Sequence, residues 1–246
     1  MKSAQNDEVV ITFDKGKVVV VVYDVHFNSL KVINMVNAED GAIGDAAFVA
    51  SETSSSRLIH PGVGETPFIS VTEDSSLSCI NLNAYKLFFV PHRDQKLCAS
   101  TAWAQKGFLL DLSSLYLPGA VLDKCFLSGY SRPTLAVLQD NGALPIGHSA
   151  SVLHTCSLTV LAVDVATRNC VVLWRQENLP HDSLLLQPLP SSVARGGALL
   201  ITNNALLIVT QESVHGLATN GFAKTTVAEK IPLVPWPLKG GVTMHA

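Results

Sequence analysis

The sequence is poor in charge and has no long apolar run. Charged residues make up 15% of its 246 residues, whereas apolar residues make up 48%. Ordinary globular chains carry charge on about a quarter of their residues. The longest apolar runs are Val18–Val22, Leu158–Val163 and Ala198–Val209, and Asn203-Asn204 interrupts the last of them. Each is shorter than the roughly 18 residues that cross a bilayer, so we expect a large buried core and no membrane segment.

Clusters of basic residues are missing as well. The net charge is −3, and Lys and Arg are not gathered in any run. Proteins that bind nucleic acid directly neutralise its phosphates with clustered Lys and Arg. We therefore expect the exposed remainder of this apolar chain to be covered by protein partners rather than by nucleic acid.

The cysteines are too few and too widely spaced for a zinc or disulfide framework. Their number is odd, and no Cys-x-x-Cys pair occurs. The default interpretation is a set of buried, reduced thiols. The sequence also has no Asn-x-Ser/Thr sequon, and its polar first eight residues do not match a signal peptide. These features fit a reducing compartment. The five are Cys79, Cys98, Cys125, Cys156 and Cys170.

No nucleophile motif or cofactor loop can be identified. Gly129-Tyr130-Ser131 continues with Arg132-Pro133, so it does not form a Gly-x-Ser-x-Gly elbow. Gly62-Val63-Gly64 lacks the third glycine and the following helix of a dinucleotide loop. Glu39-Asp40 and Glu73-Asp74 are interpreted as turn residues. We expect no catalytic residue, no cofactor and no small-molecule substrate.

The histidines do not have the spacing of a metal site. None of the eight stands in a His-x-x-x-His or His-Glu-x-x-His pattern. His181-Asp182 is interpreted as a turn after Leu179-Pro180 rather than as the start of a catalytic dyad. An enzyme with an unrecognised site remains the alternative, and it requires His148, His154 or His181 to lie in a pocket beside carboxylates.

The chain does contain many short β-like runs between turn residues. The segment Leu122–Leu138 predicts two strands around a Gly129-Tyr130 corner, and Leu109–Leu117 holds the one helical turn that we expect. The other predicted strands are Val9–Phe13, Lys17–Asp24, Leu30–Val36, Pro67–Val71, Leu77–Leu82, Lys86–Pro91, Gly107–Leu112, Ser157–Asp164, Cys170–Trp174, Gly197–Thr202 and Ala205–Thr210.

Turn signals complete this pattern. Asp14-Lys15-Gly16, Asn141-Gly142 and Asn203-Asn204 predict hairpin turns, and the Gly/Ala/Ser-rich stretch Ala38–Thr66 predicts a surface loop. About a dozen strands without a helical period predict an all-β sandwich, barrel or propeller. At about 40–45 residues a blade, a propeller would have room for about five or six blades.

The aromatic residues do not alternate with Lys or Arg. A stacking platform for RNA would need that arrangement, so we predict that these rings pack in the core. They are Phe88, Phe89, Tyr116, Phe126, Tyr130 and Trp174.

Several collinear segments resemble the large subunit of cleavage and polyadenylation specificity factor. Leu127–Leu135 is similar to a leucine, glycine-tyrosine and proline-threonine-leucine segment of that family. The family also has a strand that ends in a tryptophan and a leucine-proline step after it, which are similar to Val171–Trp174 and Leu179-Pro180. The remaining similar segments are Lys17–Asp24 with Leu30-Lys31, Ser78–Ile80 with Leu87–Arg93, and Gly196–Leu200 with Asn204–Leu207.

The resemblance implies an incomplete β-propeller of divergent four-stranded antiparallel blades. Residues 1–246 would be part of a single N-terminal propeller, with a loop insertion near 38–66. Family members are several times longer, so the chain is expected to be a fragment. Gly129-Tyr130 and Trp174 would be packing landmarks, and partner-binding residues are not identified. A damaged-DNA-binding ubiquitin-ligase adaptor and a subunit of the spliceosomal U2 particle share the architecture and remain alternatives.

The resemblance also implies a function. It indicates a non-catalytic nuclear scaffold of pre-mRNA 3′-end cleavage and polyadenylation. Its partners would be a WD-repeat subunit and a zinc-finger subunit, which recognise the polyadenylation signal. Contact with pre-mRNA would then be mainly indirect.

Overall fold

The computed structural model describes residues 8–13, 17–24, 27–37, 69–82, 84–92, 107–117, 119–141 and 154–235. The chain divides into two units, Met1–Leu117 and Pro118–Ala246. Among the described residues, 16 strands contrast with one α-helix of four residues and one short 3₁₀ helix. The predicted all-β class is confirmed. None of the helices in these ranges is long and apolar enough to span a membrane.

The first unit contains two antiparallel sheets. One has the order β1-β2-β3, and its central strand β2 contains the five consecutive valines Val18–Val22. β-branched residues favour extended backbone, which explains why this run forms the inner strand. The second sheet has the order β4-β5-β6-β7. The strands are β1 (Glu8–Phe13), β2 (Lys17–Asp24), β3 (Ser29–Asn37), β4 (Ile69–Val71), β5 (Leu77–Asn81), β6 (Lys86–Pro91) and β7 (Phe108–Asp111), followed by a 3₁₀ helix at Leu112–Leu115.

The second unit also contains two sheets, which we call sheet I and sheet II. Sheet I has the antiparallel order β11-β10-β9-β8, and sheet II has the order β12-β13-β14-β15-β16, in which only the last pair is parallel. The elements are β8 (Ala120–Leu127), β9 (Thr134–Asp140), β10 (Cys156–Asp164), β11 (Asn169–Leu179), β12 (Ser183–Pro188), β13 (Ala198–Thr202), β14 (Ala205–Val209), β15 (Val214–Ala218), α1 (Ala223–Thr226) and β16 (Leu233–Val234). Four-stranded antiparallel sheets that follow one another in sequence are typical of propeller blades.

Sheets I and II share one hydrophobic core. Side chains from β8, β9, β10 and β11 pack with side chains from β12, β13, β14 and β15. Alternate residues of each strand point to opposite faces, so one face of each sheet enters this core. On β9, the residues from Thr134 to Gln139 are all buried, which means that both faces of this inner strand are covered.

The structure confirms most predicted strands and corrects some boundaries. β11 continues five residues beyond Trp174, to Leu179, and β15 was not predicted at all. The Asn141-Gly142 signal correctly marks the end of β9, but a two-residue hairpin is wrong. Asp140 pairs with Cys156, so residues 141–155 connect β9 to β10. The predicted loop at 38–66 and the turn at 14–16 lie outside the described residues, and a single propeller over residues 1–246 stays a prediction.

Candidate functional site

Sheets I and II contact each other through both hydrogen bonds and apolar packing. At the strand-edge end of this contact, β8 lies beside β12. The Asp123 carboxylate accepts a hydrogen bond from the backbone N–H of Leu186 at 2.6 Å. The Ser128 hydroxyl donates to the carbonyl of Leu189 at 2.9 Å. These two bonds join β8 to β12 and to the segment after it, so they fix how the two sheets are aligned.

Burial of Asp123 has an electrostatic cost. Desolvation raises the pKa of this carboxyl, against the opposing effects of the Leu186 and Lys124 N–H groups and of the Lys124 charge. A raised folded-state pKa means that the ionised form weakens the fold as the pH rises through that pKa. The two N–H donors offset part of this cost and hold the ionised side chain at the contact.

A second polar arrangement, which we call the tyrosine corner, joins the two sheets close to the bond made by Ser128. The Trp174 indole N–H on β11 donates to the Tyr130 hydroxyl at 3.0 Å. That hydroxyl donates in turn to the carbonyl of Gly196 at 3.3 Å. Gly196 has φ +68°, and a Cβ atom built on it would lie 2.6 Å from the Tyr130 ring. Only glycine therefore fits beneath the ring, and the predicted landmarks Tyr130 and Trp174 belong to one chain of contacts.

Apolar side chains of both sheets also pack against one another. Leu158 and Val160 of sheet I pack in the same core as Leu200 and Leu207 of sheet II, and all four are fully buried. Gln176 on β11 adds two hydrogen bonds to the carbonyls of the turn after β14. Hydrogen bonds and apolar packing together hold sheets I and II against each other.

Replacing Trp174 with phenylalanine tests the tyrosine corner. The change removes the N–H donor and part of the ring, and we expect the free energy of unfolding to fall by about 1–2 kcal/mol. Urea denaturation followed by circular dichroism measures the loss. Tyr130→Phe removes the same hydrogen bond from its other side, so the two losses should not add in the double variant. Full additivity would show that the bond does not contribute.

Two histidines of the enzyme alternative, His154 and His181, lie in the part of the chain that the structure describes. His154 and His181 lie close enough to interact. The pKa of His154 is lowered by burial and, to a lesser extent, by the positive charge of His181. Asp182 is buried and accepts a hydrogen bond from the Asn204 side chain at 2.9 Å. His148 lies outside the described residues, and no group of three possible metal ligands is found among those described.

The buried thiols of the second unit are not activated nucleophiles. Burial raises the pKa of Cys125, Cys156 and Cys170 to about 12, and for the first two a nearby carboxylate, Asp123 or Asp140, contributes further. Such groups are almost fully protonated at neutral pH. Cys79 is also a buried thiol. The predicted buried, reduced thiols are confirmed at these four positions, whereas Cys98 lies outside the described residues.

The other motifs considered from the sequence have structural roles or cannot be placed. The turn Glu73-Asp74 is confirmed, and the Asp74 carboxylate accepts hydrogen bonds from the Ser76 amide and hydroxyl at 3.1 and 2.7 Å. His181-Asp182 forms the predicted turn before β12. Gly62-Val63-Gly64 and Glu39-Asp40 lie outside the described residues.

Several apolar side chains are exposed, and the sequence pattern did not distinguish them from buried ones. On the edge strand β11, Val171 and Leu173 are exposed, and on β12 so are Leu184 and Leu185. Tyr116, predicted to pack in the core, is instead 90% exposed at the left-handed end of the 3₁₀ helix. Apolar character in a short strand does not show which of its two faces is covered.

Comparison with known proteins gives one consistent result. No protein-family model matches the chain. The Arabidopsis thaliana cleavage and polyadenylation specificity factor subunit 1 is 30% identical over 125 residues, which cover 51% of this chain and 8% of the relative. The probable subunit 1 of Oryza sativa is 29% identical over 53% of this chain and 9% of its own length. The Drosophila melanogaster subunit 1 is 31% identical over 47% of this chain and 8% of its own length.

The matched part thus spans less than a tenth of the curated relatives' length. It nevertheless covers about half of this chain in relatives from plants and an insect that carry the same description. The resemblance recognised in the sequence is confirmed: over about half of its length, this chain is similar to subunit 1 of cleavage and polyadenylation specificity factor.

Proposed function

We propose that this chain is part of a non-catalytic scaffold for pre-mRNA 3′-end cleavage and polyadenylation. The observation that carries the proposal is the joined pair of sheets I and II, which lies in a relative of a subunit named for that process. A scaffold needs surfaces whose relative positions do not change. The bonds from Asp123 to Leu186 and from Tyr130 to Gly196 provide this constraint.

The proposed partners are the WD-repeat and zinc-finger subunits of the complex, and the proposed location is the nucleus. Exposed aliphatic groups such as Val171 and Leu184 are suited to protein contacts, because removing apolar surface from water is favourable. The charge of −3 supports mainly indirect contact with pre-mRNA. In this proposal, the partner subunits recognise the polyadenylation signal, and this chain holds them in place.

Affinity purification tests the assignment to 3′-end processing. The tagged native protein is isolated from nuclear extract, and its bound proteins are identified by mass spectrometry. We expect the WD-repeat and zinc-finger subunits of the polyadenylation factor. A variant with Gly196→Ala, which distorts the tyrosine corner, serves as the matched control and should recover less of both. Recovery of cullin or of spliceosomal U2 proteins instead would support one of the related adaptors.

Direct RNA binding gives a separate prediction. We expect the purified 246-residue chain to bind RNA that contains a polyadenylation signal only weakly, with a Kd above roughly 1 μM at physiological salt, because it has no cluster of Lys and Arg. Filter binding over a series of salt concentrations measures both the affinity and its salt dependence. Submicromolar binding with a steep salt dependence would overturn the indirect role and leave the family relationship intact.

A further inference from the structure

One end of sheet II carries a chain of hydrogen bonds between three connecting segments. Ser183 pairs with Thr202, and Ala205 pairs with Ala218. The turn before β12, the turn between β13 and β14 and the segment after β15 therefore all lie at this end of the sheet. We call the last of them, Thr219–Val227, the anchor segment, and it contains α1.

Polar side chains link the three segments in series. The Asp182 carboxylate accepts a hydrogen bond from the Asn204 side-chain N–H at 2.9 Å. The Asn204 side-chain carbonyl accepts in turn from the Asn220 side-chain N–H at 2.9 Å. Because a carboxylate can only accept, it fixes the orientation of the Asn204 amide and, through it, that of the Asn220 amide. The turns His181-Asp182 and Asn203-Asn204, recognised in the sequence, are thus tied to the anchor segment.

The chain of hydrogen bonds ends on the backbone of Phe222. The Asn220 side-chain carbonyl accepts from the Phe222 N–H at 2.9 Å, and the Phe222 carbonyl accepts from the Thr225 hydroxyl at 2.7 Å. Ala223 and Val227 of the same segment are buried in the core that sheets I and II share. Phe222 is nevertheless 72% exposed. The segment is therefore held on one side by the core and presents a phenylalanine ring on the other.

A fixed backbone under an exposed ring is the arrangement of a binding anchor. The Phe222 ring adds little to the stability of this fold, because most of it stays in water. Aromatic residues are enriched in the cores of protein interfaces. A residue that is held in place before binding also loses less conformational freedom when it binds. The hydrogen bonds beneath Phe222 thus prepare the ring for a contact outside this chain.

The charge beside Phe222 indicates the kind of pocket that it fits. Lys224 is the only charged residue of the anchor segment, and it is exposed. An apolar ring fits a pocket lined by aliphatic or aromatic side chains, and a neighbouring ammonium group favours an acidic residue at the rim of that pocket. One lysine is not the cluster of positive charge that neutralises RNA phosphates. The surface therefore suits a protein rather than a nucleic acid.

We propose that Phe222 is an anchor that inserts into an apolar pocket of a partner protein, with Lys224 paired to an acidic residue at the rim. Asp182, Asn204 and Asn220 are positioning residues, because they act on the ring through the backbone that carries it. This interaction goes beyond the proposed function, and it does not depend on which complex the partner belongs to.

Photo-crosslinking from position 222 in the native full-length protein, inside its own cells, tests the anchor. Phe222 is replaced by p-benzoylphenylalanine, which keeps an aromatic ring there, and the crosslinked peptide is identified by mass spectrometry. We expect one other protein, joined at an aliphatic or aromatic residue with Asp or Glu nearby. A partner site without these features would overturn the proposal. So would a crosslink to the same polypeptide, to a second copy or to RNA, or reaction with water alone.

Substitutions then measure what the ring and the charge contribute. The protein identified by the crosslink is titrated against the purified native protein. Phe222→Ala should weaken binding at least about tenfold. Lys224→Glu should also weaken it, and changing the acidic rim residue of the partner to lysine should restore binding to this variant. Full affinity of Phe222→Ala would overturn the anchor, and failure of the charge exchange would overturn the acidic rim.

Tyr116→Ala is the matched control, because it removes an aromatic ring that is 90% exposed but lies in the first unit. Its affinity should stay within about twofold of the unsubstituted protein. Phe222→Ala should leave the thermal unfolding of the native protein unchanged, and a large drop would show that the ring supports the fold instead. Asn220→Ala keeps the ring but frees its backbone. The photo-reactive residue at position 222 should then label several sites on the partner rather than one.

Discussion

Replacing Leu207 with alanine is expected to lower the free energy of unfolding by about 2–5 kcal/mol. Leu207 lies on β14, in the middle of sheet II, and none of its side chain is exposed. It packs in the core that sheets I and II share, together with Leu200 on the neighbouring strand. Alanine would remove buried methyl groups and leave a cavity that two joined sheets cannot close. Urea denaturation of the purified 246-residue chain measures the loss.

The neighbouring residue provides the control. Ile208→Ala changes a side chain of similar size on the same strand, but Ile208 points to the opposite face of sheet II and is 38% exposed. We expect a loss at least twofold smaller than that of Leu207→Ala, because less buried surface is removed and water already reaches the site. Equal losses would show that this opposite face of sheet II is covered as fully as the face that packs against sheet I.

The strands that could be predicted from the sequence are those whose own residues define them. Strand β6 was predicted with both of its observed ends, Lys86 and Pro91, because an apolar run lies between turn residues. The pair β13 and β14 was recognised in the same way, from two aliphatic runs around Asn203-Asn204. In each case the local pattern and the tertiary pairing favour the same conformation.

Strand β15 could not be predicted because its pairing, rather than its composition, makes it a strand. Its sequence Val214–Ala218 has a histidine and a glycine among five residues, which gives a poor β pattern. Gly216 lies opposite Leu207 and between the side chains of Leu207 and Leu233, where a larger residue would collide. The glycine that weakens the local signal is thus required by the packing.

The contact between the sheets could be predicted only in part. Trp174 and Tyr130 were expected to be packing residues, and both take part in it. Their hydrogen bond joins residues 44 positions apart, and the bond from Asp123 to Leu186 spans 63 positions. No local periodicity encodes such long-range polar pairs. Tyr116 was predicted to pack in the core, and this prediction was wrong. Its aromatic character alone does not indicate that it lies at the end of a 3₁₀ helix, which directs it into solvent.

Replacing Gly196 with alanine is expected to lower the free energy of unfolding by about 2–4 kcal/mol. A left-handed backbone costs a residue with a Cβ about 1–2 kcal/mol. The new methyl group would also lie 2.6 Å from the Tyr130 ring, so the ring must move. Displacing the ring weakens its hydrogen bonds with Trp174 and with the Gly196 carbonyl, each contributing about 1 kcal/mol. Thermal and urea denaturation of the 246-residue chain measure the total.

Two further variants separate these causes. Gly221→Ala is the control, because a Cβ there meets nothing within 4 Å, and its effect should stay within about 0.5 kcal/mol. Tyr130→Ala removes the ring that the new methyl group would strike. In the Gly196→Ala/Tyr130→Ala double variant, the backbone cost remains but the collision disappears, so the combined loss should be smaller than the sum of the two single losses. A strictly additive result would mean that Gly196 is required only for its backbone conformation, and that the tyrosine ring does not depend on the glycine beneath it.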